Sequence, residues 1–179
     1  MNNNNLAIAL LGFLIQQPKH GYELHKDISD LKGIGIVWSV KMGKLYAMLH
    51  DLEKQGYVFL TVSQEGQRPP KNIYTISKPG ASVFQEWLVN PVAHGRELRL
   101  EFLIKLYFAQ AMDAERAYLL ITRQIEKCQE WLKAIEQSSF YHESGEIFQQ
   151  LVRGFRKSQV TGFLQWLENC QLMLGEKHK

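Results

Sequence analysis

The sequence predicts a mostly α-helical protein with one small β-hairpin, made of two parts that meet near residue 90. Glycine and proline punctuate short helical patterns in the first part, whereas no proline follows Pro91. Apolar residues at helical spacing fill the second part, and only two segments have the β-branched and aromatic content typical of strands. Residues 90–95 are predicted to be a linker, because a residue before proline disfavours the helical region. We therefore place one domain at residues 1–90 and another at 91–179.

Composition and charge narrow the class of protein. The 179 residues are 45% hydrophobic and 22% charged, which is typical of a folded chain and unlike a disordered one. The apolar run at residues 6–15 is about half of the roughly 20 residues that a membrane span needs. Asparagines rather than basic residues precede it, and the two cysteines fall in apolar helical patterns, so we expect a cytoplasmic protein without a membrane partner. The net charge of +3 alone does not indicate a nucleic-acid partner.

Two short helices are predicted at the start of the chain. Residues 6–15 suit a buried helix that stops at Pro18, with the opening asparagines as a frayed terminus. Residues 21–31 suit a second helix, which Gly33 and Gly35 close. The residues of this second helix that are available for the core are Tyr22, Leu24, Ile28 and Leu31.

A third helix is predicted from Ser39, as its N-cap, to about Gln55, with Gly56 as its stop. Trp38 precedes this helix and is expected to pack against it. The inner face follows the i, i+3, i+7, i+10 spacing of one helical stripe, formed by Met42, Leu45, Leu49 and Leu52. The opposite face is expected to carry Lys41, Lys44, Met48 and Asp51.

A β-hairpin and a fourth helix complete the first part. Residues 57–62 and 72–76 read as its two strands, and the basic tip between them contains Arg68. The fourth helix is predicted over residues 79–89, with Pro79 in its first turn. Three short helices followed by a hairpin are the order of a winged helix-turn-helix, so we assign that fold to residues 1–90.

The second part is predicted to be helical throughout. One buried helix is expected over residues 97–112 and another over residues 114–137, with a seam formed by Tyr118, Ile121, Ile125, Cys128, Leu132 and Ile135. A third helix is expected over residues 146–174. Because such long helices rarely bury their apolar faces within one small chain, we predict a homodimer formed by this α-helical dimerisation domain. The predicted dimerisation residues are Phe148, Val152, Phe155, Phe163, Trp166 and Leu167.

The third helix and the hairpin tip carry the candidate DNA-binding residues. A winged helix inserts the N-terminal part of such a helix into the major groove of double-stranded DNA, while a basic tip reaches phosphates or the minor groove. An ordinary solvated face explains two lysines equally well, and Tyr46 also suits a half-buried core position. The candidates are Lys41, Lys44 and Tyr46 on the helix, with Arg68 and Lys71 on the wing.

Catalysis and metal binding find no support in the sequence. The motifs HExxH, CxxC, GxSxG, GxGxxG and the phosphate-binding P-loop are all absent. Glu97 and Glu101 are expected on a solvated face beside Arg96 and Arg99. We therefore expect neither an enzyme nor a cofactor.

Several segments match one known family. They are LLGFL at residues 10–14, HGYEL at 20–24, WSV at 38–40, GKLYAML at 43–49, LEKQGYV at 52–58 and NIYTISKPG at 72–80. On these segments the chain resembles PadR-type transcriptional regulators. NPVAH at 90–94 and EFLIKL at 101–106 are similar to the branch typified by the virulence activator AphA, whose C-terminal helices form the dimer.

The resemblance implies a dimeric bacterial regulator, most often a repressor, that binds a pseudopalindromic promoter site. Carried over by position, it implies DNA contacts from Ser39, Lys41, Lys44 and Tyr46 on the helix and from Arg68 and Lys71 on the wing. It also implies a small-molecule effector or a second regulator as partner. The residues alone leave two alternatives open, a winged-helix module that binds protein instead of DNA and a small-molecule sensor.

Overall fold

The computed structural model describes residues 3–63, 71–138 and 146–176. These parts of the chain form a mostly helical fold with a small antiparallel sheet, which confirms the predicted fold class. The α-helices are α1 (Asn3–Leu14), α2 (Gly21–Ile28), α3 (Met42–Lys54), α4 (Lys78–Val89), α5 (Glu101–Met112), α6 (Ala114–Gln137) and α7 (Ile147–Glu176). The strands are β1 (Lys19–His20), β2 (Val58–Ser63) and β3 (Lys71–Ile76), and Ile34–Ile36 and Gly95–Arg99 are 3-10 turns.

The sheet contains a strand that the sequence did not predict. Its order is β1-β3-β2, so β3 lies in the centre, with Lys19 opposite Tyr74 and Val58 opposite Ile76. The two predicted strands are confirmed within one residue. β1 was missed because two residues are too short to show any periodicity.

The first two helices differ from their predicted form. α1 already begins at Asn3, and Asn5 Nδ2 lies 3.3 Å from Glu101 Oε1, so the expected frayed terminus is wrong from Asn3 onward. α2 ends at Ile28, because the carbonyl of Asp30 accepts hydrogen bonds from two later amides and turns the chain. Tyr22 and Leu31 are consequently exposed, and the core positions of α2 are Gly21, Leu24 and Ile28.

The third helix begins later than predicted and buries a wider stripe. Its N-cap is Lys41, so the prediction that Ser39 caps it is wrong. Met48, expected on the outer face, is buried with Leu45, Leu49 and Leu52, which gives the i, i+3, i+4, i+7 pattern of a helix packed along a broad face. Trp38 is buried as predicted.

The connection from the sheet into α4 is held by Ser77. Its hydroxyl donates to the carbonyl of Gly56 at 2.7 Å and accepts from the amide of Gly80 at 3.0 Å, which caps the helix. Gly56 has φ +72°, a conformation that favours glycine, as expected for its place after α3. The predicted first turn at Pro79 is confirmed.

The second part departs from prediction at two places. The helix expected over residues 97–112 is interrupted at Leu100, so that a 3-10 turn precedes α5. α6 has the predicted bounds, but Tyr118 of its predicted seam is exposed. The fully buried side of α6 is instead formed by Ala117, Leu120, Ile121, Gln124 and Cys128.

The two parts of the chain pack on one continuous apolar core. Phe108 of α5 makes edge-to-face ring contacts with Phe13 of α1 at 5.0 Å and with Phe84 of α4 at 5.5 Å. The predicted linker contacts α6, since the amide of Val92 donates to Gln124 Oε1 at 2.8 Å. The boundary between residues 90 and 91 stays a prediction. None of the helices that the structure describes combines the length and the apolar character needed to cross a membrane.

Alanine at Gly80 and at Gly154 is expected to change stability in opposite directions. A Cβ at Gly80 would lie 2.2 Å from the carbonyl oxygen of Tyr57, so we expect Gly80→Ala to cost about 2 kcal/mol or more. A Cβ at Gly154 in α7 would meet no atom within 4 Å, so the better helix propensity of alanine should add about 0.5–1 kcal/mol. Urea unfolding at one protein concentration measures both variants, and equal midpoints would contradict this packing.

Candidate nucleic-acid interface

The N-terminal half of α3 presents an open face to solvent. The buried residues of α3 all lie on one side, which leaves Gly43, Ala47 and His50 exposed at i, i+4, i+7 spacing on the other. Gly43 has open space around its Cβ position. Small residues in the middle of this face allow the helix backbone to approach another surface closely. Sequence reasoning missed Gly43 and Ala47, because only the charged lysines stand out in the sequence.

Lys41 and Lys44 lie at the start of this face, and both are exposed. The first turn of α3 contains no acidic residue. Positive side chains and the free amides of a helix N-terminus both attract anions, so this end of α3 suits phosphate groups. Ser39 is exposed in the segment that leads into the helix.

Tyr46 lies on the flank of α3 and joins it to the start of α2. Its ring packs over Gly21, where an added Cβ would lie 2.6 Å from the ring and 2.8 Å from the hydroxyl oxygen. About 41% of Tyr46 stays exposed, which combines the two predicted roles of packing and an available hydroxyl.

The start of α2 extends the exposed face beyond α3, which the sequence reasoning missed. Tyr22 and Lys26 are exposed and, with Tyr46, line an open cavity of about 650 Å³. His20 Nδ1 lies 3.2 Å from the carbonyl oxygen of Asn72, which connects this region to β3. Helical spacing predicted that Tyr22 is buried, so its place on the exposed face was not expected. In the structure the short α2 buries only three of its residues.

The wing is described up to its tip. Lys71 is the first residue of β3 and pairs with Ser63 of β2, whereas Arg68 lies outside the described residues. On β2, Phe59 and Val62 are exposed, so this strand offers apolar side chains. The predicted DNA-contacting residues of the helix therefore lie together in the structure. The side-chain positions of Arg68 and Lys71, the two predicted contacts on the wing, are not described.

Tyr74 lies on β3, the central strand of the sheet, and is buried. Burial raises the pKa of its phenol above the ordinary value, and the nearby Tyr46 and Glu53 raise it further. Tyr74 consequently stays neutral at all physiological pH values and does not add negative charge beside the candidate interface.

The predicted dimerisation residues divide into exposed and buried ones. Phe148 and Phe155 of α7 are 73% and 62% exposed, and Val152 is half-buried. Trp166 is partly exposed and contacts Phe102 edge-to-face at 5.8 Å.

Leu167 is fully buried within its own chain, so the prediction that it faces a second copy is wrong. Phe163 is partly buried against the same core, and its role in dimerisation stays a prediction. Helical spacing alone does not say which chain covers an apolar face. Leu151, which the prediction omitted, is 65% exposed between Phe148 and Phe155.

Across residues 3–63, 71–138 and 146–176, no group of three or more His, Cys, Asp or Glu side chains is placed to hold a metal ion. Cys128 and Cys170 are free, and burial raises the pKa of both thiols. Neither thiol is therefore activated as a nucleophile.

Comparison with known proteins gives matches over both parts. The family model described as "Transcriptional regulator PadR-like family" matches residues 10–86, and "Virulence activator alpha C-term" matches residues 98–174. The chain is 26% identical to the negative transcriptional regulator PadR of Bacillus subtilis (strain 168), over 96% of this chain and 98% of that protein.

Solved structures are also similar to the chain. Bacillus subtilis PadR in complex with operator DNA is 23% identical, with a TM-score of 0.47, over 94% of this chain and 98% of that one. The same protein in complex with p-coumaric acid is 21% identical, with a TM-score of 0.44, over 98% of each chain. The family models span both the helix-turn-helix with its wing and the helices that follow. Residues 10–86 form a PadR-like family domain, and the chain is similar to a regulator of that family over nearly its whole length.

Proposed function

We propose that the chain is a homodimer that binds a pseudopalindromic promoter site in double-stranded DNA and represses transcription there. The observation that carries the proposal is the exposed, acid-free N-terminal end of α3, with Lys41 and Lys44, inside the segment that matches the family model. The name of the Bacillus subtilis relative, a negative regulator, supports the repressor role. A cytoplasmic location and the absence of catalysis are part of the same proposal.

In this mechanism α3 enters the major groove with its N-terminal half. Gly43 and Ala47 let the helix backbone approach the base edges, while Lys41 and Lys44 neutralise phosphates at the groove rim. The hydroxyls of the exposed Tyr46 and Tyr22 would donate to the DNA backbone beside α2. Ser39, Arg68 and Lys71 complete the proposed contacts, the last two from the wing.

The dimer is proposed to form through two exposed apolar patches at opposite ends of the α6–α7 hairpin. Gln171 Nε2 donates to Thr122 Oγ1 at 2.9 Å near one end, and Lys157 Nζ contacts Glu136 Oε1 at 2.9 Å toward the other, so the helices run antiparallel. The start patch is Ile147, Phe148, Leu151 and Phe155, and the end patch is Tyr118, Leu119, Leu172 and Met173.

A twofold axis pairs the start patch of one copy with the end patch of the other. Each patch is covered once in such a closed arrangement, which is the form of contact that a symmetric dimer requires. Large exposed apolar patches on a single chain are typical of interaction sites. The symmetry of the operator would then follow from that of the protein.

Glutamate at both Phe148 and Phe155 is expected to separate the dimer. Two charges in the start patch would have to be desolvated, so the dimer dissociation constant should rise by about 100-fold or more. Size-exclusion chromatography with light scattering over a concentration series measures this change. The control, Gln129→Glu with Gln137→Glu, adds the same charge at exposed positions of α6 and should leave the dimer intact. A Phe148→Glu/Phe155→Glu variant that stays dimeric would contradict the patch pairing.

The proposed function is tested by selecting bound fragments from genomic DNA with the purified protein. Selected sites are expected to contain two inverted half-sites centred about 34 Å apart, or a multiple of that distance. Fluorescence anisotropy with competitor DNA then gives the affinity, which should fall steeply with salt. Should selection return no common site, the DNA-binding proposal fails and a winged-helix module that binds protein takes its place.

A further inference from the structure

A buried ion pair lies at the junction between the winged helix and the helical part, and the proposed DNA contacts do not use it. Lys105 Nζ lies 3.3 Å from Glu101 Oε1, one helical turn away on α5. Lys105 is 2% exposed and Glu101 is 7% exposed, so the pair is removed from solvent. This placement overturns the expectation that Glu101 lies on a solvated face.

The pair is connected to α1, to α4 and to the residue that ends α4. Trp87 Nε1 of α4 donates to Glu101 Oε1 at 3.1 Å, and Asn5 Nδ2 of α1 donates to the same carboxylate at 3.3 Å. Lys105 Nζ donates to the carbonyl oxygen of Asn90 at 2.8 Å and lies 4.9 Å from the centre of the Trp87 ring. We call these five residues the junction cluster.

The junction cluster is poorly explained as a source of stability. Burial lowers the pKa of Lys105, because desolvation disfavours its charged ammonium group. The attraction of Glu101 acts in the opposite direction. Buried ion pairs are commonly no more stable than apolar side chains of the same volume. In some proteins, however, the directional contacts of a buried polar pair select one arrangement among several that apolar packing alone would tolerate.

The direction of these contacts matters because much of the surrounding junction is apolar and aromatic. Rings such as Phe84 and Phe108 attract each other over a range of orientations. The hydrogen bonds of Glu101 and Lys105 instead fix α5 against α1, α4 and the end of α4 at Asn90. These donors and acceptors thus restrict the angle between the two parts.

We propose that the junction cluster fixes the angle between the winged helix and the helical part, and thereby sets the half-site spacing that the dimer accepts. The inference rests on the proposed function, since spacing has meaning only for a dimer bound to DNA. Glu101 and Lys105 are positioning residues in this account and do not touch DNA.

The test variant is Glu101→Gln with Lys105→Met, which removes both charges and keeps the volumes. The glutamine retains an oxygen for Trp87 Nε1, and the exposed Asn90 can bind water in place of the lysine. A single substitution would leave one buried charge unpaired, so it is avoided. Trp87→Phe is the milder second variant, because it removes one hydrogen bond and keeps a ring beneath Lys105.

The measurement is anisotropy with a panel of operators whose half-sites lie at the selected spacing or are moved apart by one or two base pairs. Wild type should prefer the selected spacing, and the double variant should lose roughly 5-fold or more of that preference while still binding. Trp87→Phe should lose a smaller share. The control, Glu136→Gln with Lys157→Met, removes an exposed ion pair inside the helical part and should keep the wild-type preference.

The outcomes separate the two proposals. Wild type that binds no site removes the proposed function, and this inference with it. Wild type that discriminates between spacings, with the same discrimination in the double variant, overturns the inference alone. If the double variant does not fold, unchanged discrimination in Trp87→Phe overturns it equally.

Discussion

Replacing both Lys41 and Lys44 by alanine is expected to weaken operator binding on the order of 100- to 1000-fold at 0.15 M salt. Each lysine would neutralise one phosphate, and a dimer would lose four such contacts. Because each contact contributes about 0.9 to the slope of log affinity against log salt, the slope should become shallower by about 3 to 4. An anisotropy series between about 0.05 and 0.3 M salt measures both quantities.

The control for this pair is Lys54→Ala with Lys133→Ala. Lys54 lies at the C-terminal end of α3 and Lys133 on α6, and both are exposed. The control removes the same number of positive charges, so a difference in affinity between the two double variants reflects where the lysines lie. An equal loss of affinity in both double variants would show that α3 does not enter the groove by its N-terminal end.

Phe108→Ala is expected to lower the free energy of unfolding by about 4 kcal/mol, because it empties the centre of the aromatic junction. The ring makes edge-to-face contacts with Phe13, Phe84 and Tyr107, and Gly12 lies so close that an added Cβ there would be 2.7 Å from it. In a chain of this size the melting temperature should fall by about 10 °C.

Calorimetry at one fixed protein concentration checks this value, since dimerisation makes melting temperatures depend on concentration. Phe59→Ala removes the same ring from the exposed face of β2 and should change stability by no more than about 0.5 kcal/mol. A small effect for Phe108→Ala would mean that the two parts are stabilised separately and do not share a core.

The sequence predicted most helices because their ends carry local signals. Ser77 and Pro79 start α4, Gly56 follows α3, and Asp113 caps α6 through a hydrogen bond to the amide of Arg116. These signals act over three or four residues and do not depend on the rest of the fold. At the start of α3 the local signal was misleading, because Ser39 is a typical N-cap residue but the helix begins after Lys41.

The candidate interface was predicted in part, for a related physical reason. Lys41 and Lys44 stand out by charge, whereas Gly43 and Ala47 matter through what they lack, and their role needs the exposed face of α3 to be known. The burial of Glu101 and Lys105 depends on contacts with α1, 96 residues away in sequence at Asn5, and with α4, 14 residues away at Trp87. Local spacing places such a pair on a solvated helix face, and only tertiary packing reverses that assignment.

The pairing of β1 with β3 has a consequence for the order in which the protein folds. Residues 19–20 pair with residues 73–74, so α2, α3 and β2 all lie within the loop that this pairing closes. Closing such a long loop costs chain entropy before the strand contacts repay it. Because β3 lies between β1 and β2, this pairing joins the wing to the segment before α2, and it cannot form in a nascent chain until residue 74 has been synthesised.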